Sequence, residues 1–189
     1  MKKIVSLFKR NYKTDFLVRD EVVEGAEWVL AGEGIATRKF DGTCCMIENG
    51  RLYKRREVRQ GKKPPEGFIP ETDVDPNTGK RQGWLRVGDG NEDVYYREAL
   101  FYLLLREQGR CQNGTYELCG PKVQGNPESF DRHVLVFHGN SVVFPDPPRT
   151  FSGLKAWFVG IDLEGIVWHH LDGRMVKIKK KDFGLCRDE

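Results

Sequence analysis

A chain of 189 residues, 39% hydrophobic and 31% charged, can bury one good core, or one large domain carrying a long insertion, but hardly two full domains. Its formal net charge of +3 is too small to announce a nucleic-acid binder by itself. The five cysteines, Cys44, Cys45, Cys111, Cys119 and Cys186, are odd in number and form no CxxC pair, which argues against a secreted disulfide frame and for a reducing, cytoplasmic setting. No apolar run approaches the ~20 residues of a membrane-spanning helix, so a soluble single domain over residues 1–189, with no membrane partner, is expected.

The amino-terminal MKKIVSLFKR starts basic like a signal peptide, but its apolar run breaks at Lys9-Arg10 and no adequate apolar region follows. Beyond it, short runs of Val, Ile, Phe, Tyr and Trp between Gly, Asn and Asp turns predict antiparallel sheets. Lys39-Phe40-Asp41-Gly42 places a lysine two residues ahead of an Asp-Gly turn at the end of an apolar run, a pattern that a surface hairpin also produces. Asn49-Gly50 then marks a two-residue hairpin that pairs residues 43–47 with 52–56 and sets Cys44 opposite Arg55. That hairpin carries Arg55 back toward Lys39; the alternative for Arg55 and Arg56 is solvent.

Charge clusters are more informative than the total. Lys54, Arg55, Arg56, Arg59, Lys62 and Lys63 crowd residues 54–63, and Lys177, Lys179, Lys180 and Lys181 crowd 177–181, enough for positive patches able to hold phosphates. Residues 61–92 form a polar stretch with Pro64, Pro65, Pro70 and Pro76, too long for an ordinary connection and read as an insertion or a mobile flap. Residues 94–108 (VYYREALFYLLLREQ) carry a broad apolar stripe that stops at Gly109, which predicts a well-buried helix packed on a sheet. A shorter helix is predicted over 152–159, with Ser152 as N-cap and Gly160 as stop.

Asp172-Gly173 is a two-residue hairpin signal between GIVWHHL and RMVKIKK. Centred there, the turn sets Trp168 opposite Lys177, Ile166 opposite Lys179 and Glu164 opposite Lys181. With side chains alternating at period two, Glu164, Trp168, Lys177 and Lys179 then emerge on one face. One carboxylate and two ammonium groups share a surface, which the polar outer face of any hairpin could also do. His133, His138, His169 and His170 have neither an HExxH nor a Cys/His zinc spacing, and adjacent strand residues point to opposite faces. Zinc is therefore not expected; His170 shares the presumed face, either touching a phosphate or standing in solvent.

Taken in order, these segments resemble the nucleotidyltransferase motifs shared by RNA ligases, DNA ligases and mRNA capping enzymes. Lys39-Phe40-Asp41-Gly42 resembles the first motif with its nucleophilic lysine, and Arg55 the arginine that follows it. Tyr116-Glu117-Leu118-Cys119-Gly120 resembles the third, Glu164-Gly165-Ile166-Val167 the fourth, and Lys177-Ile178-Lys179 the fifth. More narrowly, FDGTCC, Gly125-Asn126-Pro127, EGIVWH followed by DG, and the closing FGLC resemble the small ATP-dependent 5′-3′ RNA ligase family with vertebrate members. The resemblance covers about residues 35–186. It implies an α+β adenylation domain of ATP-grasp-like architecture, two mainly antiparallel sheets flanked by helices. Many DNA ligases and capping enzymes place an arginine two residues after the KxDG glycine, where this chain has Cys44, which favours the RNA-ligase branch. The chain also stops soon after the fifth motif, without room for a C-terminal OB domain, so RNA ends are expected to be held by this domain, by the insertion at 61–92, or by a protein partner.

The chemistry implied by the resemblance has three steps: Lys39 attacks the ATP α-phosphate to give lysyl-AMP and pyrophosphate, AMP passes to an RNA 5′-phosphate, and an RNA 3′-hydroxyl displaces AMP. DNA nick joining, GTP-dependent capping and noncatalytic RNA-end binding are the alternatives. Only a neutral amine can attack, and a free lysine with a pKa near ~10.4 is protonated at neutral pH, so neighbouring cations and partial burial must lower it. Lys177 and Lys179 are the candidates for this, and the same cations would neutralise charge growing on the phosphates. Glu164 is the candidate ligand for Mg²⁺ (or Mn²⁺), which needs few protein carboxylates when phosphates supply the other oxygens; its structural alternative is a salt bridge to Lys181. The resemblance gives Glu117 the ATP ribose hydroxyls and adds Arg55, Lys177 and Lys179 to the nucleotide contacts. Asp41 orients Lys39, holds metal, or only forms the turn. Phe137, in HVLVFHG, either stacks on adenine or is an ordinary core phenylalanine.

Overall fold

Alternating apolar and polar residues between Gly and Asn turns give a chain built mostly of strands in the computed structural model, which describes residues 4–76 and 78–187. The basic start at residues 1–3 lies outside the described residues. Where the sequence predicts one domain, the chain forms two compact units: a split unit of residues 4–40 and 141–187, and an inserted unit, Asp41–Asn140. In chain order the split unit begins with β1 (Val5–Ser6), β2 (Phe8–Arg10), β3 (Val18–Val22), a single helical turn α1 (Glu27–Leu30) and β4 (Ile35–Lys39). The inserted unit supplies β5 (Thr43–Glu48), β6 (Arg51–Arg59), β7 (Ile69–Asp75), β8 (Lys80–Arg86), α2 (Val94–Arg106), β9 (Gly114–Cys119) and β10 (Val134–Phe137). The split unit then resumes with β11 (Val143–Phe144), α3 (Phe151–Phe158), β12 (Gly165–His169) and β13 (Met175–Lys179). The architecture is α+β and mostly antiparallel, and no helix among the described residues is long and apolar enough to cross a membrane.

The split unit's sheet runs β1-β13-β12-β4-β11, antiparallel except where β1 lies parallel to β13. Ala36, Ile166, Trp168, Val176 and Ile178 point to one side of it and share an apolar cluster with Leu154 and Phe158 of α3. Full burial of Trp168 and Phe158 contributes about 2–3 kcal/mol each. Helix α3 starts one residue earlier than predicted because Thr150, not Ser152, is its cap: the Thr150 hydroxyl accepts a hydrogen bond from the Gly153 N–H at 3.2 Å.

The inserted unit's sheet is antiparallel throughout, ordered β10-β9-β5-β6-β8-β7. Asn49 and Gly50 both take left-handed φ angles (51° and 73°), the two-residue turn that matches strand twist, and the register sets Cys45 opposite Lys54, hence Cys44 beside Arg55. The stretch at 61–92 contains regular strands. Its residues build β7 and β8, which extend the sheet beyond β6, with Trp84 buried and its indole N–H donating to Glu71 at 2.6 Å. Pro70 is tolerated because β7 is the edge strand, where a missing N–H costs no ladder bond.

Helix α2 ends at Arg106, two residues short of the predicted Gln108, because Gln108 and Gly109 turn left-handed and the Gly109 N–H closes back on the Leu104 carbonyl at 2.7 Å. It is not buried all round. Ala99 and Leu103 face the cluster formed by Cys45, Ile47, Leu118 and Leu135, while Phe101 and Leu105 stand 62% and 68% exposed.

Candidate active site

Strand alternation assembles the site of the split unit. Ile35, Thr37 and Lys39 of β4 share one face, and the register places Lys39 opposite Gly165 and Thr37 opposite Val167. On the other side of β12, Gly165 faces Lys179 and Val167 faces Lys177. Lys39, Lys177 and Lys179 therefore emerge on the same side of the sheet. Gly165 keeps the row between Lys39 and Lys179 open: a Cβ there would meet the Ile178 carbonyl at 2.2 Å, so no side chain can be placed.

Glu164, immediately before β12 and only 4% exposed, spans the two outer lysines. One carboxylate oxygen accepts from the Lys39 ammonium at 2.5 Å and the other from that of Lys179. Burial works to raise its proton affinity, but the two lysines outweigh burial and hold its carboxyl below the usual range. Burial pushes the Lys177 ammonium the other way, down to about 8, with repulsion from Lys179 and Lys39 adding to it. The crowding of cations that the sequence predicts thus acts most visibly on Lys177, while Lys39 is clamped by a carboxylate. His169 joins this face, its Nε2 2.9 Å from the Thr37 hydroxyl.

Several expected positions are corrected. The Asp172-Gly173 hairpin closes as a three-residue loop with Gly173 at φ 88°, and His170 pairs across it with Arg174. That extra residue shifts the register by one: Trp168 opposes Val176 and is wholly buried on the far face, away from the lysines. Glu164 consequently lies beside Lys180 rather than Lys181, and its ion pairs go to Lys39 and Lys179. His170 is in the turn, bound to Glu33 at 2.8 Å and edge-on to Trp28. The two cation clusters are also divided by alternation. Lys54 turns inward to the buried Asp93, and Lys180 is buried with its ammonium on the Ile161 and Arg187 carbonyls.

The other named residues lie in the inserted unit. Glu117, Cys44 and Arg55 form a row across β9, β5 and β6; an Arg55 nitrogen is 3.9 Å from the Cys44 sulfur, and its guanidinium rests on Trp84 and donates to Gln82. Burial, helped by the Glu117 carboxylate, pushes the Cys44 thiol up, so this cysteine stays protonated. Glu117 is held from behind by His138, whose Nε2 is 3.1 Å from it while Nδ1 is 2.9 Å from the Thr115 hydroxyl. Phe137 occupies the opposite face, tilted against Tyr116 and packed on the apolar cluster. There β10 pairs Phe137 with Tyr116 and Val136 with Glu117.

Asp41 receives its support from a loop whose purpose sequence alone does not reveal. The Asp41 N–H donates to Glu128 at 2.9 Å, and Glu128 follows Gly125-Asn126-Pro127, where the Asn126 side chain bridges to both backbone groups of Phe130. Gly42 is demanded by proximity, since a Cβ would meet the Leu118 carbonyl at 2.2 Å. Sequence reasoning missed Glu128, Thr115 and the His138 contact; only the proximity of Gly125-Asn126-Pro127 to Glu128 in the chain hinted at the first.

Among the described residues no three His, Cys, Asp or Glu side chains converge in a metal-holding group. A single buried carboxylate ringed by ammonium groups fits Mg²⁺ carried by phosphates, which takes one or two protein carboxylates.

The RNA ligase 1 family model matches residues 106–189, a stretch that contains Glu117, Glu164, Lys177 and Lys179. RNA ligase 1 of Rattus norvegicus is 25% identical over 220 aligned residues, covering 80% of this chain and 68% of the relative. The Mus musculus protein is 25% identical with 80% and 67% covered, and that of Danio rerio 25% with 79% and 67%. The chain thus carries a resemblance to the RNA ligase family, over its C-terminal part by the family model and over about four-fifths of its length by the individual relatives.

Proposed function

We propose that the chain is an ATP-dependent RNA ligase that joins a 5′-phosphate to a 3′-hydroxyl through a lysyl-AMP at Lys39. The observation that supports it most is the convergence of Lys39, Lys177 and Lys179 on one sheet face around the buried Glu164, together with the resemblance to RNA ligases. The Lys39 amine forms a bond to the α-phosphorus as the bond to pyrophosphate breaks. The RNA 5′-phosphate oxygen then takes the adenylyl group from nitrogen, and the 3′-hydroxyl oxygen displaces AMP.

The clamp on Glu164 has a direct consequence for the first step. The Lys39 nitrogen is engaged as a donor to the Glu164 carboxylate, an arrangement that does not present a free lone pair to phosphorus. Attack requires Glu164 to turn away, leaving the Lys39 amine beside two positive neighbours that favour its neutral form. Glu164 would serve as the carboxylate ligand of Mg²⁺, and the ion would supply charge neutralisation on the phosphates. Lys177, already near the neutral–charged boundary, is suited to pass a proton at the reacting phosphate. Glu117 is the acceptor proposed for the ribose hydroxyls, backed by His138.

Intact-mass measurement after incubation with ATP and Mg²⁺ tests the reading. A gain of one AMP residue mapped to Lys39, lost in Lys39→Ala, is expected; a gain with GTP instead, or one mapped to another lysine, sinks the assignment.

A further inference from the structure

Strand β10 ends the six-stranded sheet of the inserted unit, with β9 on one side only. An edge strand of this kind is a template for pairing with another strand. Helix α2 packs beside it, and between the two lies a cavity of about 350 Å³ walled by Tyr102, Leu103 and Leu105 of the helix, Val134 and Leu135 of the strand, and Arg132. A second hollow of about 440 Å³ shares Leu103 and Arg106 with the first and reaches Phe137 and Asn140. The two together follow β10 from Val134 to Phe137. The exposed Phe101 and Leu105 continue this apolar surface on the helix.

The trough is lined by three cations, Arg106, Arg110 and Arg132, against one carboxylate, Glu107. The Arg132 guanidinium lies over the Tyr102 ring, 4.9 Å from its centre, and among the described residues no carboxylate pairs with it. Arg106 gives only its Nε to the neighbouring Glu107, at 2.8 Å, which leaves its terminal nitrogens for a ligand. Both arginines sit where the apolar walls end.

We propose that this trough receives an extended peptide segment of a protein partner. The segment adds as a strand to β10, buries an apolar side chain between Tyr102 and Leu135, and sets carboxylates against Arg106 and Arg132. Strand pairing accounts for the open edge, the apolar walls select alternate side chains, and the arginines select acidic ones. RNA is disfavoured here because Arg106, Arg110 and Arg132 share the lining with the Glu107 carboxylate over a largely apolar floor, and the Tyr102 face beside the strand is already covered by Arg132. This binding does not depend on the ligase reading, and adenylylation is measured separately as the control.

The test uses the full chain and fluorescent peptides of about ten residues: one alternating valine with glutamate, one alternating valine with lysine, and one acidic peptide whose central valine is proline. Fluorescence anisotropy is expected to show the acidic peptide binding at least about tenfold more tightly than the other two. Arg132→Glu and Leu105→Ser, both surface changes, are expected to weaken it about tenfold and about threefold. Amide exchange within Val134–Phe137 is expected to slow when the acidic peptide is bound. Failure of the acidic peptide to bind, equal binding of the proline or lysine peptide, or unchanged exchange in β10 overturns the proposal. So does an oligouridine whose affinity falls in Arg132→Glu while the peptide's does not.

Discussion

Lys177 sits among like charges and is partly withdrawn from water, so its ammonium destabilises the folded chain at neutral pH. With its folded value depressed to about 8 from an ordinary 10.5, the native state holds fewer protons than the unfolded one between those limits. Stability therefore rises with pH across that window, and the penalty is fully present below it. Replacing Lys177 with Met is expected to raise stability at pH 7 by about 1–3 kcal/mol, with the gap to the parent closing as the pH climbs from 8 toward 10.5. Denaturant melts at pH 7 and 10 check this, and RNA joining should fall at least about tenfold at the same time. A variant less stable than the parent at pH 7 would remove the argument. That Lys177 and Lys179 share a face was legible in the sequence, since alternation along one strand dictates it; that Lys39 joins them was not, because nothing in the sequence announces the pairing of β4 with β12. That Glu164 bridges two of them was not, because it lies just outside the regular strand. Phe137 shows the same limit: alternation tells which residues go together, and only packing against α2 tells which side is inside.

Among the elements, the β12–β13 hairpin is where a correct signal led to a register one residue off. Asp-Gly suits both a two-residue turn and a three-residue loop whose last residue is left-handed, and the chain uses the second, with Gly173 at φ 88°. Alternation rescued the lysines and misplaced Trp168. Gly173→Val forces a branched side chain into that conformation, at a cost of about 1–3 kcal/mol. Thermal melting is expected to show the loss, with adenylylation reduced because the register sets Lys177 and Lys179 relative to Lys39; an unchanged melt would mean the turn relaxes freely. The β7–β8 hairpin failed to announce itself for a different reason. Prolines and polar residues read as loop, yet they are what an exposed edge strand uses to avoid further pairing.

Across the whole molecule, the net charge of +3 is spread more thinly for a ligand than the sequence clusters suggest, because Lys54 and Lys180 point inward and Lys80 pairs with Glu57. Single-stranded RNA binding is accordingly expected to weaken only gently with salt, with a log–log slope shallower than about −3, or roughly −0.7 for each phosphate neutralised. Anisotropy titrations over a salt series measure it; a steep slope would show a basic surface not identified in these two units. The chain's path carries one more lesson. Residues 41–140 leave and rejoin the split unit at β4 and β11, which are paired neighbours: the Arg38 N–H donates to the Val142 carbonyl at 2.7 Å, and the Ser141 hydroxyl to the Arg38 carbonyl at 2.7 Å. The excursion is therefore a very long hairpin loop. Splicing it out and stitching Phe40 to Ser141 with an Asn-Gly pair should yield a free-standing miniature that keeps the lysine trio, shorn of about 3 kcal/mol of ring-closure entropy.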